Sequence, residues 1–148
     1  MSRLVAKALA PLARRVQLLV SRAVVRLVDS SYLCQALQVT GFADEVLDRI
    51  EHVEPYGFTA RPHQGAEAMI ASLGGRRSHT VAFVVGDRRY RIRNLAAGEV
   101  ALYTDEGDVI QFKRGQVIDI NSGNEVRVHA ATRATVTSPE VAVVASTQ

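Results

Sequence analysis

Apolar residues are spaced in three different ways along this chain. Leu4, Val5, Ala8, Leu9, Leu12, Val16, Leu19 and Val20 recur at steps of three and four, the spacing of an amphipathic helix. Pro11 interrupts the helical backbone. Residues 1–20 are therefore expected to form a kinked helix or a short helix pair packed on its own domain or on a neighbour. Attachment to a membrane surface is the sharper alternative.

The period then shortens. Val24, Val25, Leu27 and Val28, followed by Leu37 and Val39, read as two strands joined around Ser30-Ser31-Tyr32. Leu47 to Val53 fits either helix or strand. Tyr56 to Ala60 is an extended run before Pro62, which keeps Arg61 out of the helical region. Ala66 to Leu73 reads as a strand closed by Gly74-Gly75, Val81 to Val85 as a β-branched strand, and Tyr90 to Ile92 as its return after Gly86-Asp87. Val100 to Tyr103 and Val109 to Phe112 flank Asp105-Glu106-Gly107, a hairpin signal. Short strands with turns every ~8–12 residues predict a small barrel or sandwich. An OB-like barrel over 21–115 fits the size, and closure would leave no exposed edges.

The last third, 116–148, is different in kind, and from Glu125 it alternates. Val126, Val128, Ala130, Thr132, Ala134 and Val136 fall on one face, with Arg127, His129, Arg133 and Thr135 largely on the other. After Pro139 the pattern resumes with Val141, Val143 and Ala145. No residue of the apolar face is larger than Val. A single ribbon of this kind cannot cover its own face or its edges. Identical chains wound together solve both problems, because small residues let backbones approach closely. The predicted core of such a bundle is Val126, Val128, Ala130, Ala134, Val136, Val141 and Val143. An extra hairpin folded back on the barrel is the simpler alternative, but a capping tail usually brings Leu, Ile or Phe.

Composition narrows the function classes. The 148 residues are 47% hydrophobic and 22% charged, within the range of folded soluble domains. Trp is absent and aromatics make up 5%, which weakens a case for base or sugar stacking. Cys34 is the single cysteine, so neither an intrachain disulfide nor a Cys-based zinc site is available. No apolar run approaches the roughly 18–20 residues that span a bilayer. Lys7, Pro11, Arg14 and Arg15 interrupt the first segment, so it is not read as an export signal. The net charge of +3 is unevenly placed. Six cationic residues and no acidic one lie between Met1 and Val28, whereas Asp44, Glu45, Asp48, Glu51 and Glu54 follow with only Arg49 among them. The first segment should seek an acidic surface.

Candidate chemistry is sparse. His52, His63, His79 and His129 show no metal-ligand spacing. The serines lack a GxSxG elbow, and Cys34 sits in an apolar context. Gly74-Gly75-Arg76-Arg77-Ser78 lacks the phosphate-loop pattern. The acidic run from Asp44 to Glu54 reads as a solvated face rather than paired catalytic carboxylates. Arg76, Arg77, Arg88, Arg89, Arg91 and Arg93 would form a basic groove on an OB-like barrel, but only Tyr90 lies among them as a stacking platform. Single-stranded nucleic-acid binding is the alternative function. The preferred reading is non-enzymatic and has no nucleic-acid partner.

The middle of the chain carries a resemblance. Tyr56-Gly57-Phe58-Thr59-Ala60-Arg61-Pro62, then Gly65-Ala66-Glu67-Ala68, Gly74-Gly75-Arg76-Arg77-Ser78-His79, Asp87-Arg88-Arg89-Tyr90-Arg91 and Gly98-Glu99-Val100-Ala101-Leu102-Tyr103 resemble the central spike, or baseplate assembly protein V, of Mu-like contractile-tailed phages. The match covers roughly residues 20 to 120. It implies a mainly β chain: an N-terminal OB-fold domain followed by a C-terminal intertwined trimeric β-helix, on the virion tail axis beneath the hub. Sheath contraction would push this needle into the host outer membrane. The implied partners are two further copies of the chain and the tail hub or other baseplate proteins. Arg3, Lys7, Arg14 and Arg15 are the candidate hub contacts. Spikes of this family usually end in a His-x-His apex that holds a metal ion. This sequence has no such motif, since His129 is alone, so no cofactor is expected in this chain. Either the chain is shortened or a separate tip protein supplies the apex.

Overall fold

The computed structural model describes residues 9–11, 16 and 19–145. Residues 9–11 and 16 are helical, and most of the helix expected over 1–20 lies outside the described residues. The chain divides between Arg93 and Asn94 into two compact units.

The first unit is a closed five-stranded barrel. Its strands are β1 (Val20–Asp29), β2 (Ala36–Thr40), β3 (Val46–His52), β4 (Glu67–Ser72) and β5 (Thr80–Gly86), in the order β1-β2-β3-β5-β4 with β4 closing onto β1. Every pairing is antiparallel except β3 with β5. This architecture is compatible with the OB-like expectation. Leu47–Val53, which fitted helix or strand, is a strand because its apolar residues meet β2 across the ladder.

Three bulges bend these short strands into closure. In β1 the register slips between Val25 and Leu27, leaving Arg26 as the extra residue. The inward phase therefore moves from Ala23 and Val25 to Val28, and Leu27 is turned out to solvent. In β3 the slip falls opposite Leu37 and Val39, where Arg49 takes a left-handed φ of 52°. Leu47 and Ile50 thus both face the core despite their odd spacing. In β5 Phe83 is the extra residue between Ala82 and Val84, and its side chain is exposed.

The core comprises Ala23, Val25, Val28, Leu37, Val39, Ile50, Ala66, Ala68, Ile70 and Ala82, with Leu47 and Val85 packed against it. Four alanines keep the barrel narrow, and Leu37, Ile70, Val25 and Val39 fill it. At the end nearest the β2–β3 and β4–β5 turns, a polar network replaces apolar packing. Thr80 Oγ1 donates to the Arg77 carbonyl at 2.9 Å, and the Ser72 and Thr80 hydroxyls bond to each other at 2.9 Å. Arg77 pairs with Glu45 across the two turns.

The second unit holds a three-stranded antiparallel meander: β6 (Val100–Tyr103), β7 (Val109–Lys113) and β8 (Val117–Asn121). The sequence reading placed the hairpin around Asp105-Glu106-Gly107 inside the barrel and the domain boundary at 115. Instead the hairpin forms, but outside the barrel. The barrel already closes through β4 and β5, so no strand edge remains there to accept it. The segment Tyr90 to Ile92 is not a strand, and Tyr56 to Ala60 forms a turn rather than an extended run, with Phe58 N–H bonding to the Pro55 carbonyl at 3.1 Å. Residues 122–145 carry no regular secondary structure in this single chain.

Candidate assembly interface

The second unit buries none of its described residues, although its sheet is well formed. The turns explain the formation. Gly107 (φ +94°) closes the β6–β7 hairpin, and Gly115 (φ +81°) with Gln116 (φ 63°) closes β7–β8. Glu99 buckles the start of β6 to the β7–β8 turn. Its carboxylate accepts from the Arg114 N–H at 3.1 Å, the Ala96 N–H at 3.0 Å and the Gln111 side-chain amide at 3.2 Å. These donors, the Arg114 backbone first, hold its pKa below the usual carboxylate range.

Register assigns the faces. Val100 pairs with Phe112, which pairs with Ile118; Leu102 pairs with Ile110, which pairs with Ile120. Directly paired residues share a face, so these six apolar side chains form two adjoining rows on one side. All six are exposed, from 38% for Ile110 to 63% for Ile118. The opposite face carries Ala101, Gln111 and Asp119 in one row, with Lys113 paired to Asp119 at 2.5 Å. Tyr103, Val109 and Val117 share that second face with the polar residues, so the two sides differ in degree, and the described residues do not cover the six-residue apolar face. Soluble monomers rarely leave such a contiguous apolar face open.

The residues expected to form a trimer core, Val126, Val128, Ala130, Ala134, Val136, Val141 and Val143, are all exposed. Val126 lines an open groove of about 370 Å³ together with Leu102, Ile110 and Ile120, joining it to the sheet's apolar face. The others follow in irregular chain. The sequence reading missed the six sheet residues as interface positions. Their signal is present as alternation at 100/102, 110/112 and 118/120, but the expected boundary at 115 splits it, with the first two pairs in the barrel and the third in the shaft. Arg3, Lys7, Arg14 and Arg15 lie outside the described residues.

The remaining candidates do not converge. Arg76 and Arg77 lie at the β4–β5 turn, where Arg77 pairs with Glu45. Arg88 pairs with Glu67 at 2.8 Å, and Arg89 with Asp87 at 2.6 Å. Asp87 is held below its ordinary pKa first by its hydrogen bond from Arg89. Carboxylates therefore partner three of the arginines proposed for a nucleic-acid groove. His52 is buried at the opposite end of the barrel from the Arg77 network, its Nδ1 without a hydrogen-bond partner. Burial pushes its pKa down, opposed by the nearby Glu54 charge. Cys34 is half-buried and its thiol donates to the His52 carbonyl at 3.4 Å. Among the described residues no group of three or more His, Cys, Asp or Glu is placed to hold a metal ion, and no helix is long and apolar enough to cross a membrane.

Comparison with known proteins finds a family match within the first unit. Residues 22–89 match the family model described as Bacteriophage Mu Gp45, N-terminal, a span that runs from β1 through β5. The baseplate puncturing device gp45 of Escherichia phage Mu is 41% identical over 132 residues, covering 88% of this chain and 66% of that protein. The chain belongs to the Mu-like baseplate spike family. A second relative, the Mu-like prophage FluMu protein gp45 of Haemophilus influenzae, is 44% identical over 111 residues, which is 74% of this chain and 60% of the relative. The chain thus spans slightly less than two thirds of the length of either relative.

Proposed function

We propose that this chain is the central spike of a contractile-tail baseplate: a homotrimer that attaches to the tail hub and helps to pierce the host outer membrane when the sheath contracts. The baseplate location follows from family membership. The role is structural, without a catalytic step, and draws on no cofactor in this chain.

The observation that carries the reading is the open apolar face of β6–β8. Moving each of its six side chains from partial exposure into a core contributes roughly 1–2 kcal/mol, and further copies of the chain would provide that core. Three copies, the number implied by the resemblance, can close their sheets around one axis so that the apolar faces meet inside and the Lys113–Asp119 faces meet water. The small residues from Val126 to Val143 would continue this interior as a narrower shaft, each ribbon gaining strand partners from its neighbours. Shearing such a shaft breaks many backbone hydrogen bonds together, so it transmits axial force. Arg3, Lys7, Arg14 and Arg15 would orient the hub contact by charge.

Light scattering on the purified chain tests this directly. A mass near three times 16.1 kDa is expected, and a stable monomer overturns the proposal.

A further inference from the structure

The outside of the barrel is not uniform. Paired residues share a face, so register assigns the outward side chains. On β2 and β3 they are mostly polar: Gln38, Thr40, Asp48 and Glu51, beside Ala36 and Val46. On β4 and β5 they are mostly apolar. Val20 pairs with Ala71, which pairs with Val81, and Met69 pairs with Val84. The bulged Phe83 faces out beside them. Ala68 to Ala71 and Val81 to Val85 are unbroken apolar runs, the pattern of strands covered on both sides. Yet Val20, Phe83 and Val84 are each about half exposed.

Charge lies at the margins of this face. Glu67 holds Arg88 at 2.8 Å and Arg22 at 3.9 Å on one flank. Glu51 pairs with Val81 on the other, and Arg76 stands at the β4–β5 turn. The centre, formed by Met69, Ala71, Val81, Phe83 and Val84, is uncharged.

The chain itself carries a matching surface. It enters β1 beside this face, where the Ser72 N–H donates to the Leu19 carbonyl at 2.8 Å. Ahead of that point Leu4, Val5, Ala8, Leu9, Leu12 and Val16 keep helical spacing. At helical rise residues 4–16 would reach about 20 Å, and a six-residue strand such as β4 is also about 20 Å long. Stripe and face therefore match in length and in lack of charge. Within one chain they do not cover each other: Leu9 is 46% and Val16 59% exposed, against 43% for Phe83 and 53% for Val84.

We infer that the N-terminal stripe of each copy seats on the β4–β5 face of the next copy. The occupant is residues 4–16 of a second copy, because in the single chain both surfaces stand open together. Each copy offers one stripe and one face, so the contact is head-to-tail and closes when three copies form a ring. Seating the stripe would leave Arg3, Lys7 and Arg14, which fall opposite it at helical spacing, for the hub. This inference rests on the trimeric reading and adds a contact between barrels to the sheet interface.

Benzoylphenylalanine in place of Val84 puts a photo-crosslinker at the centre of the face, at an outward position with room for it. Irradiating the full-length protein should join chains covalently, and peptide mapping should place the link within residues 4–16 of a second chain. Adding Val16→Asp should lower the yield severalfold while light scattering still gives three chains. An unchanged yield overturns the inference, as does a link to residues 4–16 of the same chain. A three-chain mass with no link to residues 4–16 overturns it and leaves the sheet interface standing. A one-chain mass overturns both.

Discussion

The barrel and the meander are built from strands with the same two-residue alternation, yet one encloses its apolar face and the other leaves it open. In the barrel, bulges at Arg26, Arg49 and Phe83 turn the strands until β4 meets β1, and Leu37 and Val39 become fully buried. In the meander no bulge interrupts the β6–β7 or β7–β8 register. The sheet ends in two free edges, and Phe112 remains 45% exposed. Alternation therefore specifies a two-faced ribbon, while irregularities in the ladder decide whether that ribbon closes on itself or stays open.

The most severe way to break this contrast is to charge the open face. Phe112→Asp combined with Ile110→Asp should reduce the mass by light scattering from three chains to one, while the barrel's thermal transition persists. Next in size, Leu37→Ala should destabilise the barrel by about 2–5 kcal/mol, as expected for truncating a fully buried leucine. Denaturant unfolding would measure this, with no loss of chain association in buffer. A smaller loss of roughly 1–2 kcal/mol is expected for Gly65→Ala. Gly65 has φ +90°, and an added Cβ would sit 3.3 Å from Arg89 Nη1.

The smallest effect is a pH dependence confined to the barrel. His52 has a lowered pKa in the fold, chiefly through burial, so the unfolded chain binds its proton first as pH falls. Stability is complete above the unfolded value of about 6.5 and declines below it, until the folded imidazole also titrates. Melting temperatures from pH 7.5 to 5 should show this decline in the native chain and a shallower one in His52→Leu, with no matching change in the sheet.

Much of the barrel was legible because its strands carry β-branched runs bounded by Gly and Pro. The pattern located β1, β2, β4, β5 and the β6–β7 hairpin. It could not choose between Leu27 and Val28 for the core, since both are apolar. Only the bulge at Arg26, a property of the pairing with β2, decides that Val28 is buried. It also missed β8, because Val117 to Ile120 was absorbed into the shaft, and so the apolar rows across three strands were not assembled. The face of Val100, Leu102, Ile110, Phe112, Ile118 and Ile120 exists only once register is known. Alternation in the tail from Val126 to Val143 is plain, but alternation alone gives a ribbon no ladder, and these residues carry no regular secondary structure in the single chain.

The fork of Arg89 onto Asp87 and the Gln64 carbonyl also acts as a cleat. Tension on the chain at Arg93 first meets this side-chain knot, anchored to a different loop. Past the knot lies β5, which is hydrogen-bonded to β4 on one side and to β3 on the other. A pull along that strand loads its ladders in shear, where the bonds resist together, rather than peeling them one at a time. The same few residues therefore also protect the barrel from being unravelled through its outgoing end.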